Sequence, residues 1–233
     1  MKILGLIPAR DGSKGVPHKN QKILAGKPLV CYTIEAALAC KELDRIVVST
    51  DSDVIAKLSQ KAGATVPFLR PKTLAGDNSP SIDVVIHALA FYENQGIYFD
   101  AICLLQPTCP LRQTVDITQA IQIFSSSEAD SLISVREVPH QYNPHWVFEQ
   151  ASGSEYLKIS TGEEEIIHRR QALPKAFYRD GSIYITRTET LKKTKSLYGK
   201  KIARHESTNP FYVNIDTLSD WEKAEDLIKV QKI

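Results

Sequence analysis

The sequence lacks the features that mark membrane, secreted or zinc-binding proteins. None of its apolar runs approaches the roughly 20 residues that span a bilayer, and the apolar stretch 3–7 is too short for the core of a signal peptide. The four cysteines, Cys31, Cys40, Cys103 and Cys109, have no zinc-ligand spacing and are expected to be buried, reduced thiols. We therefore expect a cytoplasmic protein without a membrane partner.

An excess of charge of either sign is also missing. Lys and Arg number 29 and Asp and Glu 27, so the net charge of +2 gives no indication of a nucleic-acid partner. Internal repeats and low-complexity segments are absent from the sequence. The length of 233 residues suits one large domain, 1–233, or one domain with an excursion from it.

Strand and helix patterns alternate along most of the chain. Short apolar runs predict strands at 3–7, 45–50, 65–69, 101–105, 130–135, 182–186 and 211–213. Apolar residues at helical spacing predict helices at 28–40, 53–62, 82–92, 117–124, 188–193 and 218–228. This order is typical of an α/β fold with a mainly parallel, doubly wound, Rossmann-like sheet.

The segment 136–179 interrupts this alternation. Its aromatic and polar residues are crowded together, and its strands look short and hairpin-like. We interpret it as an inserted subdomain of the main domain, and as a candidate arm or lid that contacts a second copy of the chain.

The loop 7–20 follows the first predicted strand and concentrates positive charge at Arg10, Lys14 and Lys19. Open α/β sheets bind their ligands at this end of the strands. Glycines at 12 and 15 let the main chain approach a ligand, and N–H groups with cations suit a polyanion such as a triphosphate. The loop has neither the P-loop order nor Gly-x-Gly-x-x-Gly, so a solvated basic loop is the alternative.

The motifs Pro8-Ala9-Arg10, Gly12-Ser13-Lys14 and Lys19-Asn20 resemble the signature of the acylneuraminate cytidylyltransferases, the CMP–sialic acid synthetase family. Further matching pieces follow in order over nearly the whole chain: Val48-Ser49-Thr50-Asp51, Arg70-Pro71, Ser81 with 84–89, Leu105-Gln106-Pro107-Thr108, Pro110-Leu111-Arg112, Arg169-Arg170-Gln171, Asp180-Gly181-Ser182-Ile183-Tyr184 and Asn214-Ile215-Asp216-Thr217.

The resemblance implies a nucleotidyltransferase that uses CTP and a nine-carbon nonulosonic acid of the N-acetylneuraminate or legionaminate type. The anomeric 2-hydroxyl of the sugar would attack the α-phosphorus, giving the CMP-sugar and pyrophosphate, with Mg²⁺ as cofactor. The resemblance also implies a homodimer in which the excursion closes the partner's active site.

The resemblance assigns roles by position. The residues expected to hold the triphosphate are Arg10, Ser13, Lys14 and Lys19. Those expected to read cytosine are Arg70 and main-chain groups near Leu6 and Ala9, while Asn20 and Ser81 are expected to contact the ribose. Those expected to contact the sugar are Gln106, Arg169, Arg170 and Tyr184. One of the two arginines is expected to bind the sugar carboxylate, because a guanidinium fork matches it. The residues closest to the chemistry would be Arg10, Lys19, Arg170 and Asp216.

The metal motif departs from the family pattern. The family usually has Asp-Ile-Asp, whereas this chain has Asn214-Ile215-Asp216. Residues i and i+2 of a strand face the same way, so Asn214 and Asp216 could both reach one Mg²⁺. An amide oxygen is a metal ligand without charge, which predicts weaker binding or a metal held mostly by Asp216 and CTP. Alternatively, Asp216 merely caps the last helix.

Two other functions stay open at this point. The 3-deoxy-manno-octulosonate cytidylyltransferases activate an eight-carbon acid, but their first loop differs from Gly12-Ser13-Lys14-Gly15. A CTP-binding paralogue with impaired catalysis would be supported by Asn214 alone.

Overall fold

The computed structural model describes residues 1–231, and strand β1 (Ile3–Pro8) is a buried inner strand of its largest sheet, one position from the edge. The remaining helices and strands follow in chain order: β2 (Ile23–Leu24), β3 (Lys27–Pro28), α1 (Leu29–Leu38), β4 (Arg45–Ser49), α2 (Asp53–Lys61), α3 (Ser81–Glu93), β5 (Ala101–Leu105), α4 (Thr114–Ser125), β6 (Ser131–Glu137), β7 (Phe148–Gln150), β8 (Leu157–Ile159), β9 (Phe177–Arg187), α5 (Thr188–Thr194), β10 (Ile202–Glu206) and α6 (Leu218–Gln231).

The six-stranded sheet has the order β10-β6-β9-β5-β1-β4. Strand β1 runs parallel to both β4 and β5, whereas β9 runs antiparallel to β5. Helices connect the parallel strands, and the predicted α/β class with a mainly parallel, doubly wound sheet is confirmed.

Both faces of the sheet are buried, as parallel sheets require. Along β1, Ile3 and Ile7 belong to one apolar cluster, whereas Leu4 and Leu6 belong to the cluster on the opposite face. A third apolar cluster joins Val16 of the first loop to residues of 213–215 and of α6. This third cluster brings the first loop to the chain segment that precedes α6.

The chain divides into two compact units, Met1–Ser134 with Asp180–Ile233, and Val135–Arg179. Within the second unit, β7 and β8 form an antiparallel hairpin, so the short hairpin strands predicted there are present. The indole of Trp146 donates to the carbonyl of Ile167 at 2.6 Å, and the imidazole Nδ1 of His145 lies 2.8 Å from the Glu163 carboxylate.

Two predicted strands are wrong, and two local structures were not predicted from the sequence. Residues 65–69 make only isolated bridges to Val47 and Thr50, because Pro67 has no N–H to donate to a ladder. Residues 211–213 are irregular, and β10 at Ile202–Glu206 was not predicted because its alternation is weak. The first loop leads into the hairpin β2–β3, whose turn residues Ala25 and Gly26 have positive φ, rather than directly into a helix.

All four cysteines are free and buried, as predicted. Burial raises the pKa of the Cys109 thiol to about 11, so this residue is a packed thiol rather than a nucleophile at neutral pH. Among residues 1–231, every helix is too short or too polar to cross a membrane.

Candidate functional site

A polar cleft of about 290 Å³ lies at the carboxyl ends of β1 and β5, within the first unit. This is the edge at which open α/β sheets bind their ligands. Its walls come from the first loop, the segment 70–79, the start of α3, the residues after β5, and the segment before α6. The lining residues are Pro8, Arg10, Ser13, Lys19, Asn20, Arg70, Leu74, Gly76, Asp77, Ser79, Ser81, Val84, Gln106, Pro107, Thr108, Asn214 and Asp216.

Two cations of the first loop converge on one carboxylate. Arg10 Nη1 lies 2.8 Å from Asp77 Oδ1, and Lys14 Nζ lies 2.9 Å from Asp77 Oδ2. Hydrogen bonds from Lys14 and Arg10 lower the pKa of Asp77, so it is ionised at neutral pH. Arg10 lines the cleft, whereas the Lys14 side chain is 81% exposed at its rim. An anion entering the cleft would meet both cations.

Lys19 is the most enclosed cation of the first loop. Its Nζ donates to the carbonyl of Ile215 at 2.6 Å and lies 3.4 Å from Asp216 Oδ1. Burial lowers the pKa of Lys19, and the nearby Asp216 carboxylate opposes that effect. The ammonium therefore joins two regions that are 196 positions apart in the sequence.

Gly15 lies where the first loop meets the segment before α6. A Cβ added to Gly15 would lie 1.8 Å from the carbonyl oxygen of Asp216, so only glycine allows this approach. The neighbouring Val16 is fully buried in the third apolar cluster. Main-chain packing therefore fixes Asp216 relative to Lys19.

The residues predicted to contact the triphosphate and ribose are brought together, with one exception. Ser13, Asn20 and Ser81 line the cleft with Arg10 and Lys19, and Lys14 lies outside the lining. Asn20 is buried and donates through Nδ2 to the carbonyl of Arg10 at 2.8 Å, which fixes the path of the loop. Ser81 is the first residue of α3, and Pro80 rather than Ser81 occupies the cap position.

Arg70 lies at the floor of the cleft and is only 5% exposed. It donates to the carbonyls of Ser49 and Leu74, while its Nε has no hydrogen-bond acceptor among residues 1–231. Burial lowers the pKa of Arg70 to about 10, which leaves the guanidinium charged at neutral pH. Arg70 therefore brings a charged group with donors only to the lining of the cleft, which suits a ligand that presents acceptors.

Leu6, Ala9 and Tyr184 are held in the sheet or the core rather than in the cleft lining. Leu6 pairs with Val47 on one side and Leu104 on the other, and the Ala9 N–H donates to the Ser49 carbonyl at 2.9 Å. The side chain of Tyr184 is 4% exposed and belongs to the apolar cluster that contains Leu4 and Leu6. A direct sugar contact by Tyr184 would require its ring to leave that cluster.

Gln106 lines the cleft, and its main chain is fixed by Arg112. Arg112 is buried and donates to the carbonyl of Gln106, to Thr33 Oγ1 at 3.0 Å and to the carbonyl of Ser182 at 3.1 Å. The residue after β5, helix α1 and strand β9 are thereby tied to one guanidinium. The motif Pro110-Leu111-Arg112 had suggested no role for Arg112, because a buried arginine cannot be distinguished from an exposed one by local pattern.

Asn214 and Asp216 lie next to each other in the cleft although they are not in a strand. Asn214 Nδ2 donates to Asp216 Oδ2 at 3.3 Å, and the Asp216 side chain is 68% exposed. Helix α6 is capped by Thr217 and Asp220: the Thr217 N–H donates to Asp220 Oδ2 and the Asp220 N–H donates to Thr217 Oγ1. Asp216 is therefore not the capping side chain, and its carboxylate faces the cleft.

One carboxylate with one amide oxygen is a sparse donor set for a metal ion. Groups of three or more His, Cys, Asp or Glu side chains arranged for a metal are absent from residues 1–231. Mg²⁺ nevertheless suits such a site, since it is usually held by one or two carboxylates together with substrate phosphates and water.

Arg169 and Arg170 belong to the second unit, where Arg170 begins a short 3₁₀ helix (Arg170–Ala172) and lines a cavity of that unit. The cleft lining comes from the first unit alone. The roles of the two arginines toward the sugar therefore stay predictions.

The sequence matches a known family over almost its whole length. A family model described as "Cytidylyltransferase" matches residues 4–232. The CMP-N,N'-diacetyllegionaminic acid synthase of Legionella pneumophila is 37% identical over the whole chain and 98% of that relative. A pseudaminic acid cytidylyltransferase of Campylobacter jejuni is 31% identical over 99% of the chain and 97% of its own length. An N-acylneuraminate cytidylyltransferase of Streptococcus agalactiae is 34% identical over 95% of the chain, which spans about half (52%) of that relative.

Solved structures with low sequence identity have the same fold. A structure of CMP:2-keto-3-deoxy-manno-octonic acid synthetase complexed with CTP has a TM-score of 0.73 at 17% identity, with full coverage of both chains. The 4-diphosphocytidyl-2C-methyl-D-erythritol synthase of Anaerococcus prevotii has a TM-score of 0.65 at 11% identity, over 98% of this chain and 96% of that one.

Proposed function

The chain belongs to the cytidylyltransferase family, and we propose that it transfers CMP from CTP to the anomeric 2-hydroxyl of a nine-carbon nonulosonic acid. Relatives at 31–37% identity carry the names of legionaminic, N-acylneuraminic and pseudaminic acid enzymes. The eight-carbon octulosonate enzyme resembles this chain only at 17% identity, so that likeness concerns the fold alone.

One observation carries the proposal: Arg10, Lys19 and Asp216 line the same cleft, at the sheet edge where nucleotides bind. Lys19 provides positive charge that is already in place, because the carbonyl of Ile215 fixes its ammonium, and Arg10 adds a second cation in the same lining. Charge that needs no rearrangement during the reaction is the largest contribution a protein can make to phosphoryl transfer.

The proposed roles follow from these positions. The triphosphate lies along the first loop, where Arg10, Ser13 and Lys19 neutralise its oxygens, with Lys14 reaching in from the rim. The pyrophosphate leaves toward Lys19, whose ammonium stabilises the charge that develops on it. Arg70 donates to the base, whose O2 and N3 are acceptors, and Asn20 and Ser81 contact the ribose.

The remaining groups orient the sugar. Gln106, whose carbonyl accepts from Arg112, lines the same cleft as the first loop and binds sugar hydroxyls. Arg169 or Arg170 of the second unit binds the sugar carboxylate, since a guanidinium fork matches it in two parallel hydrogen bonds. These contacts bring the 2-hydroxyl into line with the α-phosphorus and so lower the entropic cost of the reaction.

Mg²⁺ is the proposed cofactor, held by Asp216, by the amide oxygen of Asn214 and by phosphate oxygens of CTP. When bound, it neutralises phosphate charge at the reacting centre. Asp216 presents an exposed carboxylate to the cleft, and Lys19 and the first loop keep it in place.

Asn214→Asp is expected to raise Mg²⁺ affinity of the CTP complex by roughly tenfold, because the number of charged ligands sets affinity. Two carboxylates would then replace the contact in which Asn214 Nδ2 donates to Asp216 Oδ2 at 3.3 Å. Their repulsion should lower the melting temperature without metal, and Mg²⁺ should restore it. Calorimetric titration and thermal melts measure both effects. Gln95→Glu adds the same charge at an exposed position after α3, outside the lining of the cleft, and is the matched control.

The proposed function is tested by pyrophosphate release with CTP, Mg²⁺ and a panel of purified nine-carbon and eight-carbon 2-keto acids. Release with a nine-carbon acid alone would support the proposal and identify the substrate among the sialic, legionaminic and pseudaminic acids. Release only with 3-deoxy-manno-octulosonate would contradict it. CTP binding without release with any acid would favour the paralogue with impaired catalysis.

We also propose a homodimer formed through the second unit, Val135–Arg179. Large apolar side chains of that unit are exposed, with Tyr156 at 81%, Leu157 at 66% and Tyr142 at 65%. Exposed apolar patches of this kind are typical of interaction surfaces.

Replacing residues 139–175 by a short linker is expected to give a monomer with at least tenfold weaker sugar affinity, because the sugar-binding arginines and the interface would both be lost. Sedimentation equilibrium and sugar titrations measure the two properties. Tyr156→Ser with Leu157→Ser keeps the arginines and should weaken the dimer, so it separates the loss of the interface from the loss of the arginines. A monomeric deletion variant with unchanged sugar affinity would contradict the idea.

We place the reaction in the cytoplasm, since free thiols are typical of reducing compartments.

A further inference from the structure

Asp77 lies where the incoming triphosphate would have to bind. Its carboxylate accepts from Arg10 at 2.8 Å and from Lys14 at 2.9 Å, and it lines the cleft together with Ser13 and Lys19. The predictions from sequence assigned no role to this residue. Both cations that it occupies belong to the set proposed to hold the triphosphate.

A carboxylate and a polyphosphate cannot share these cations without a large repulsion. Like charges a few ångströms apart disfavour one another, and the fully ionised triphosphate of CTP carries about four negative charges. Building on the proposed function, we propose that Asp77 occupies the phosphate-binding cations in the free protein and is displaced by the polyphosphate. Asp77 thereby makes the cleft selective for ligands with enough charge to replace it.

The surroundings of Asp77 permit this displacement. It lies in the segment 75–80, which is neither helix nor strand, and its side chain is 38% exposed. Arg10 Nη1 also donates to the carbonyl of Ala75 at 3.3 Å, so Arg10 retains a neutral acceptor from the same segment when the carboxylate leaves. The segment can therefore stay attached to the first loop while Asp77 moves aside.

The proposal distinguishes ligands by their charge. A ligand that takes Arg10 and Lys14 must first break two ion pairs, whereas a ligand that binds only at Arg70 and the ribose contacts leaves them intact. Inorganic tripolyphosphate and CTP belong to the first kind, and cytidine belongs to the second. Removal of the Asp77 carboxylate should therefore raise the affinity for ligands of the first kind alone.

Asp77→Asn tests the proposal because it keeps the size and an acceptor oxygen but removes the charge. Binding of CTP, tripolyphosphate and cytidine is measured by calorimetry at low ionic strength and without Mg²⁺, where exposed charges are least screened. We expect CTP and tripolyphosphate to bind about three- to tenfold more tightly, as the loss of two exposed ion pairs allows, and cytidine to bind as before. Asp77→Ser is a second neutral variant, and thermal melts establish that each variant is folded.

Asp83→Asn is the matched control, since Asp83 is an exposed carboxylate in the first turn of α3. If Asp83→Asn raised the affinity for CTP and tripolyphosphate as much as Asp77→Asn does, the effect would be one of general electrostatics and the proposal would be overturned. The same holds if Asp77→Asn raised the affinity for cytidine. Weaker polyphosphate binding in both Asp77 variants would also overturn it, because Asp77 would then orient the cations. If the unaltered protein binds neither CTP nor tripolyphosphate, with Mg²⁺ or without it, the proposed function itself fails. Unaltered affinity in the variants beside normal binding by the parent protein refutes only the role of Asp77.

Discussion

Lys19→Met is expected to lower pyrophosphate release by about 10²–10³-fold, because one preorganised donor to a developing anion contributes this much to a rate. Lys19 is the first-loop cation whose Nζ is fixed by a main-chain carbonyl, that of Ile215, at 2.6 Å. Methionine fills the same volume and leaves that carbonyl and the Asp216 carboxylate without the ammonium. The rate constant should fall more than CTP affinity, since the leaving pyrophosphate gains its charge during the reaction.

Lys72→Met is the control for the loss of one positive charge, because Lys72 is exposed on segment 70–79 and does not line the cleft. It should change the rate by less than twofold. Lys19→Arg keeps the charge in a different shape and should recover only part of the activity. A loss that appears wholly in CTP affinity, with the rate constant unchanged, would contradict the assignment of Lys19 to the leaving group.

Gly15→Ala is expected to be nearly as damaging, for a steric reason. The new Cβ would lie 1.8 Å from the carbonyl oxygen of Asp216, so the two main chains must separate by about 1.5 Å to reach an ordinary contact distance. Overpacking of this kind costs about 1–3 kcal/mol of stability, which urea unfolding measures. A displacement of about 1 Å between Asp216 and Lys19 can also lower the rate about 10²-fold.

Gly12→Ala is the matched control in the same loop. A Cβ at Gly12 meets no protein atom within 4 Å, so this variant should retain its stability and the position of Asp216 relative to Lys19. If Gly15→Ala were as stable and active as Gly12→Ala, the close packing of the first loop against 214–216 would not be needed for the site.

Several residues show why the site was only partly predictable. The first loop, Arg70, Gln106 and Asn214 with Asp216 were identified from local motifs, and the structure brings them to one cleft. Tyr184 belongs to a matching motif too, yet β9 turns its ring into the core. A motif specifies which residues are present, whereas strand register decides which face each side chain takes.

The partners of the charged groups were not predictable at all. Asp77 lies 63 positions from Lys14, and the carbonyl that holds Lys19 is 196 positions away. Irregular segments such as 75–80 and 207–216 carry no periodicity, so nothing in their own sequence indicates where they run. The capping of α6 by Thr217 and Asp220, and not by Asp216, likewise became clear only from hydrogen bonds.

The sequence by itself determined the α/β class, the order of most strands and helices, and the family of the chain, because apolar periodicity and short motifs are local properties of a chain. The tertiary structure alone decided that Asp77 meets Arg10 and Lys14, that Gly15 touches Asp216, and that Arg112 holds Gln106. Those contacts join residues far apart in sequence, and they form only when packing of the sheet and its three apolar clusters fixes the paths of the loops.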